Sequence, residues 1–186
     1  MIRKNPRGDL PQVHPSSFVD PTAILCGKVI VHENVFIGPY AVIRADEVDD
    51  DGEMEAIEIG AHSNIQDGVV IHSKSGAAVT IGQRTSIAHR AIVHGPCHVG
   101  DEVFIGFNSV LFNTTVGAGS VVRHNAVVDG CELPPGFHVP STMRLSADSD
   151  LDSIPRVTPR AAEFSEDVAR TNNWLVQGYQ RIRNEL

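Results

Sequence analysis

Aliphatic residues recur at every sixth position along most of this chain. Val13, Val19, Leu25, Val31, Ile37 and Ile43 form one uninterrupted series, and Ile81, Ile87, Val93, Val99, Ile105 and Leu111 form another. Small or aliphatic residues stand two places before several of them, as at Ala23, Val29, Val35 and Ala41. A period of six is neither the 3.6 of an amphipathic helix nor the alternation of a half-buried strand. It marks a hexapeptide β-helix, in which each sixth side chain fills a prism-shaped core. The register breaks at the acidic run DEVDDDGEME, residues 46–55, resumes at Ile59, Ile65 and Ile71, and breaks again at Ser73–Ala78. Both interruptions must leave the prism as loops. After Leu111 one step shortens to five, giving Val116, Val122 and Val128, and a second short step leads to Leu133 and Val139.

The pattern divides the chain into a β-helix over residues 1–145, a polar linker over 146–158 and a helix over 159–186. Thr158-Pro159 is a helix start, with proline at the first helical position. Phe164, Val168, Leu175, Tyr179, Ile182 and Leu186 then fall on one helical stripe, expected to pack along the prism.

Three hexads make one triangular coil, so residues 18 apart, corrected for loops, stack on the same face. Ile43 to Ile71 is 28 residues and Ile71 to Val93 is 22, which are 18 plus loop excesses of ten and four. Ile43, Ile71 and Val93 therefore stack. The residues after them, Arg44, His72 and His94, form a ladder outside that face, with rungs about 4.8 Å apart. Two imidazoles at that spacing can share one ion. His89 lies one face earlier, two residues after Ile87, which stacks on Ile65. Five residues of extended chain, roughly 16 Å at about 3.3 Å each, separate it from His94. Nitrogens sharing one zinc lie within roughly 3.5 Å of each other. One subunit can hardly assemble all three histidines, whereas His89 of one copy can meet His72 and His94 of the next. Such a head-to-tail contact must close into a ring, and a three-sided prism suggests a homotrimer. Three histidines without a thiolate point to a catalytic site with a position open for water. Asp67 shares the hexad position of His89 one coil away and is placed to support it.

Composition narrows the alternatives. The 15 Lys and Arg against 23 Asp and Glu give a net charge of −8 without a basic stripe, which argues against nucleic acid and anionic membranes as partners. No apolar run approaches a membrane span. The first residues, MIRKNPRGDLPQVHP, lack the apolar core of a secretory signal. Cys26, Cys97 and Cys131 are widely spaced and outside any CxxC, as expected of thiols in a reducing cytoplasm.

RADE at 44–47, SNIQDGVVIH at 63–72 and SIAHRAIVHGP at 86–96 resemble the γ-class carbonic anhydrases, and the resemblance extends to FIGF at 104–107 and the C-terminal helix. It implies a left-handed parallel β-helix with a C-terminal α-helix, and a homotrimer holding zinc, or iron, between subunits. It implies His72, His89 and His94 as metal ligands, with His89 from the neighbour. Glu47 and Gln66 would orient water and bicarbonate, Arg44 and Asp46 would pair across the interface, and Asn64 and Asp67 would support the site. Asn172 resembles a helix asparagine that reaches the pocket. The implied reaction is the reversible hydration of CO2 to bicarbonate. One departure stands out: the family's acidic loop after the first histidine carries a proton-shuttling glutamate, while SKSGAAV at 73–79 has no carboxylate. Competing classes are acyl transfer on coenzyme A, common among hexapeptide proteins, and a catalytically weak scaffold. The first needs an acyl-CoA groove rather than three histidines, and the carboxysome type of the second needs appended modules.

Overall fold

The computed structural model describes residues 1–185, with side chains up to Ile182. Its short strands pair in parallel throughout, apart from one isolated antiparallel bridge between Phe137 and Arg156. The result is a β-helix of about eight turns followed by one helix, Pro159–Glu185. The strands form a 13-stranded sheet, which turns a corner of the prism through Ile92–Val99 and Val110–Val116, and a 7-stranded sheet.

The hexad residues fill the interior. Leu25, Ile37, Ile43, Ile59, Ile65, Ile71, Ile87, Val93, Val99, Ile105, Leu111, Val116 and Val122 are all buried. Val13 and Val19, in the first coil, are partly buried because no coil lies beneath them. The five-residue step from Leu111 to Val116 is absorbed as a register shift against the preceding coil, between His94 and Cys97. Both predicted interruptions are loops. They lie between Val42–Ala45 and Ile57–Ile59, and between Val70–His72 and Val79–Ile81. The segment 146–158, read as a polar linker, also closes the end of the prism: Ile154 is buried and Leu151 packs on the core.

The three outer faces differ. One is covered by the helix. One carries Ile30, Glu58, Thr80, His98, Thr115 and Glu132 in a stacked column and is mostly polar. The third carries Ile24, Val42, Val70, Ile92, Val110 and Val127 in a column on the outside, so this face is aliphatic on both sides.

The helix differs from the expected packing. Its buried line is Ala169, Asn172 and Val176, whereas Phe164, Leu175, Tyr179 and Ile182 of the predicted stripe are 40–55% exposed. Leu186 lies outside the described residues. The face beneath explains the offset. It presents the rings of Phe18, Phe36 and Phe104, so the helix descends on small residues, and its own rings settle beside those of the sheet. Tyr179 stacks on Phe18 with centroids 4.4 Å apart, and Phe164 meets Phe104 edge-on at 5.1 Å. Asn173 fixes the helix rotation, donating from Nδ2 to the His62 carbonyl while its Oδ1 faces His62 Nδ1, each at 3.1 Å.

Candidate metal centre

Parallel stacking brings Arg44, His72 and His94 into adjacent rungs of one column. His72 Nδ1 and His94 Nε2 lie 3.2 Å apart. The other nitrogen of each ring has its own neighbours, and for His72 these include both donors and acceptors. His94 Nδ1 sits 3.2 Å from the Gly95 carbonyl. His72 Nε2 sits 3.4 Å from both Asp46 Oδ1 and Glu47 Oε1. Arg44 Nη2 is also 3.2 Å from that nitrogen, while its Nη1 is bonded to Asp46 Oδ2 at 2.9 Å. With the His72 hydrogen on Nδ1, Arg44 donates to Nε2 and the two rings share an ordinary hydrogen bond; with it on Nε2, facing two carboxylates, the lone pairs of Nδ1 and of His94 Nε2 face one another. The second arrangement needs a cation or a proton between them. Tetrahedral zinc bonded at about 2.0–2.1 Å would hold two nitrogens about 3.3–3.4 Å apart. The donor set fits the ion. Asp46 Oδ1 is buried without a hydrogen bond, next to the nitrogen that would donate to it.

His89 does not join this pair. It stands at a corner of the 7-stranded sheet, after Ser86–Ile87, with Arg90 beside it at φ 60°. Asp67 occupies the same corner one coil earlier, and its Oδ2 lies 3.5 Å from His89 Nδ1, which directs Nε2 outward. Among the described residues no three His, Cys, Asp or Glu side chains of one chain converge on a metal position.

The predicted polar residues fall into two groups. Gln66 lines a groove of about 370 Å³ with His89, Phe107, Phe164 and Asn172. Gln66 donates to Asn64 Oδ1 at 2.9 Å, and Asn64 donates to Ser86 Oγ at 2.7 Å. This buried chain leaves Gln66 Oε1 to the groove. Asn172, 8% exposed, donates from Nδ2 to the Val168 carbonyl, leaving its oxygen free of that bond. Glu47 and Asp46 belong to the histidine pair, and Arg44 and Asp46, expected to pair between subunits, are bonded within the chain.

The two loops meet beside the pair. Ser75 N donates to Glu47 Oε2 at 3.4 Å, Gly76 N to the Glu47 carbonyl at 3.1 Å, and Glu55 N to the Gly76 carbonyl at 2.7 Å. Gly76 has φ 71°, and a Cβ there would lie 2.7 Å from the Glu53 carbonyl oxygen, so glycine is required at this contact. Met54 anchors the acidic loop in the core at 4% exposure, and Lys28 Nζ grips its carbonyl at 2.6 Å.

Periodic reading overlooked the aliphatic outer column. Its signal lies in the residue before each inner aliphatic, itself aliphatic at 24, 42, 70, 92, 110 and 127. It also overlooked the rings tilted against the histidines: Phe107 lies 5.3 Å from His89 and Phe112 lies 5.3 Å from His94, centroid to centroid.

A prism with such a site is a hexapeptide-repeat protein, and the family model described as bacterial transferase hexapeptide (six repeats) matches residues 78–113. The fold is shared with a putative acetyltransferase from Bacillus cereus at a TM-score of 0.82, with 21% identity and 97% of each chain covered. The chain is 33% identical over 197 residues to the carbonic anhydrase of Methanosarcina thermophila, covering 95% of this chain and 77% of that one. It therefore belongs to the γ-class carbonic anhydrase family of hexapeptide-repeat proteins. The carboxysome assembly protein CcmM of a Nostoc species is 39% identical over 178 residues; this chain spans only 31% of that protein's length.

Proposed function

We propose that the protein is a γ-type carbonic anhydrase, a homotrimer that interconverts CO2 and bicarbonate at metal sites shared between neighbouring copies. The observation that carries this reading is the pair of facing nitrogens, His72 Nδ1 and His94 Nε2 at 3.2 Å, with the third histidine on another face. The aliphatic outer column supports the assembly, because six stacked Ile and Val side chains on the outside of a sheet lose apolar surface only against a second surface. In the ring, His89 of one copy completes the ligand set begun by His72 and His94 of the next.

The metal, zinc or iron, would supply a Lewis acid that ionises water at neutral pH for attack on CO2. The chain's own residues do the remainder. Asp46 and Glu47 hold the His72 hydrogen on Nε2, and Asp67 orients His89. Gln66 and Asn172, on His89's side of the groove, offer amide groups to water and bicarbonate. Glu47 Oε1 reaches His72 while its side chain is 48% exposed, so it can pass a proton from the site to solvent. The loop at Ser73–Ala78 has no acid for that task, and the acidic run behind Glu47 continues the path outward. No helix among the described residues is long and apolar enough to cross a membrane, and the proposed setting is the cytoplasm, without nucleic acid or membrane partners. Stopped-flow CO2 hydration on zinc- and iron-loaded protein, with metal counted per trimer, tests the reading. Metal-loaded trimers that do not hydrate CO2 faster than buffer would overturn it.

A further inference from the structure

The two columns that carry the ligands continue in step beyond the metal rung. Asp67, His89, Phe107 and His124 stack at one corner, and each precedes a residue of positive φ: Gly68, Arg90, Asn108 and Asn125. Phe107 lies 5.3 Å from His89, and His124 stacks on Phe107 at 4.4 Å while its Nδ1 accepts from the Phe107 N–H at 3.0 Å. On the other face His72, His94, Phe112 and Asp129 are paired rung by rung. The increments match. His89 to Phe107 and His94 to Phe112 are both 18 residues, and Phe107 to His124 and Phe112 to Asp129 are both 17.

In a closed ring whose symmetry axis runs along the prisms, all solenoid axes point the same way. Both columns rise by the same spacing per coil, about 4.8 Å. If His89 of one copy meets His94 of the next, the following rungs must meet as well. From this we infer that Phe107 of one copy packs against Phe112 of its neighbour, and that one rung further His124 faces Asp129. The inference rests on the proposed shared metal site and adds the residues that register it.

The single chain leaves these groups ready for partners. Phe107 and Phe112 are 41% and 37% exposed, and Asp129 makes no ion pair among the described residues, although Lys74 Nζ sits 5.7 Å from the Phe112 ring centroid. The metal rung then has unlike sides. Towards the N-terminus lie Asp67, Arg44, Asp46 and Glu47; towards the C-terminus lies an aromatic pair. The pair closes the site to water on that side, so exchange with solvent runs by the acidic loop and by the groove at Gln66 and Asn172. Phe107 and Phe112 are positioning residues: they hold the rings of His89 and His94 through tilted ring contacts and touch no reacting atom.

Cysteine pairs and direct disulfide formation under a mild oxidant, which requires Cα atoms within about 7 Å, test the register in the zinc-loaded protein. Phe107→Cys with Phe112→Cys, and His124→Cys with Asp129→Cys, should each convert the subunits into a covalent trimer on a non-reducing denaturing gel. Phe107→Cys with Asp129→Cys, one rung out of step, should remain mostly uncrosslinked, as should each single variant. Light scattering and zinc content on the same samples separate the two ways of failing. A monomeric wild type would overturn the shared site and this register together. A zinc-bound trimer whose in-register pairs crosslink no better than the out-of-step pair would overturn the register alone. As a second readout, Phe107→Ala should release zinc faster to a chelator while Phe107→Tyr retains the wild-type rate; equal release from both would remove the positioning role.

Discussion

Two faces of the prism share the same inner column of aliphatics and differ in what they show outside. Between the core positions of one face stand Glu58, Thr80, His98, Thr115 and Glu132; between those of the other stand Val42, Val70, Ile92, Val110 and Val127. Backbone pairing and core packing are the same in kind, so neither fold nor stability of the single chain requires the second pattern. The difference reports what each face meets. The first meets water. The second carries the histidine pair in its neighbouring column, and the proposed ring sets it against another copy. A solenoid with identical rungs thus separates folding, written on the inside, from assembly and chemistry, written on the outside of one face and one corner.

The largest effect should come from a charge placed on the aliphatic column. Val110→Asp would set an uncompensated carboxylate in the proposed interface at a cost of about 3–5 kcal/mol. Light scattering should then show monomer, zinc should be lost, and far-UV circular dichroism should still show the β-helix. Thr115→Asp on the polar face should stay within about 0.5 kcal/mol of wild type and remain trimeric; equal behaviour of the two variants would erase the distinction between the faces.

A smaller loss is expected at the corner. Asp67→Asn removes the carboxylate 3.5 Å from His89 Nδ1 and should weaken zinc binding about 10–100-fold, as read by competition with a chromogenic chelator. Unchanged affinity would leave His89 without that support.

The acidic loop should matter only under one condition. Because Met54 is buried in the core, deleting the loop would damage the fold, and neutralisation is the cleaner change. Asp50→Asn, Asp51→Asn, Glu53→Gln and Glu55→Gln together should lower kcat in weak buffer, with added imidazole restoring it and kcat/KM little altered. A kcat that stays at the wild-type value in weak buffer would confine proton transfer to Glu47 or to water.

The smallest effect concerns acid stability. Burial, and secondarily the Arg123 charge, lower the His138 pKa below its ordinary 6.5. The unfolded chain then binds the proton more readily than the folded one, so stability rises with pH across that range. His138 contributes in full above about pH 6.5 and loses its contribution as pH falls through the unfolded value towards the lowered folded one. His138→Gln should flatten part of the Tm decline between pH 7.5 and 5; an unaltered slope would assign that decline to other groups.

Much of this was legible in the sequence because a solenoid converts spacing into position. The stacking of Arg44, His72 and His94 needed only 18 plus the loop excesses, and the displacement of His89 followed from the same arithmetic. The helix was legible as an element and misread as a surface. Its strongest apolar stripe includes Phe164, Leu175 and Ile182, yet the rings of Phe18, Phe36 and Phe104 admit the smaller line of Ala169, Asn172 and Val176. Periodicity gives a helix's apolar side but not the relief of the surface beneath it. The outer aliphatic column was hidden for another reason: Val70-Ile71 and Ile92-Val93 read as ordinary buried pairs until the pleat assigns one residue of each to the outside.

The claim that one metal site is built by two copies is tested most directly by mixing subunits. His89→Ala keeps His72 and His94, His94→Ala keeps His89, and neither variant alone has a complete set. After co-refolding in equal amounts, every mixed trimer should contain one junction with all three histidines, so the mixture should regain about a quarter of wild-type zinc, as random assembly of a three-membered ring requires. Zinc that stays at the level of the separate variants while mixed trimers form, or full zinc in either variant alone, would contradict the shared site.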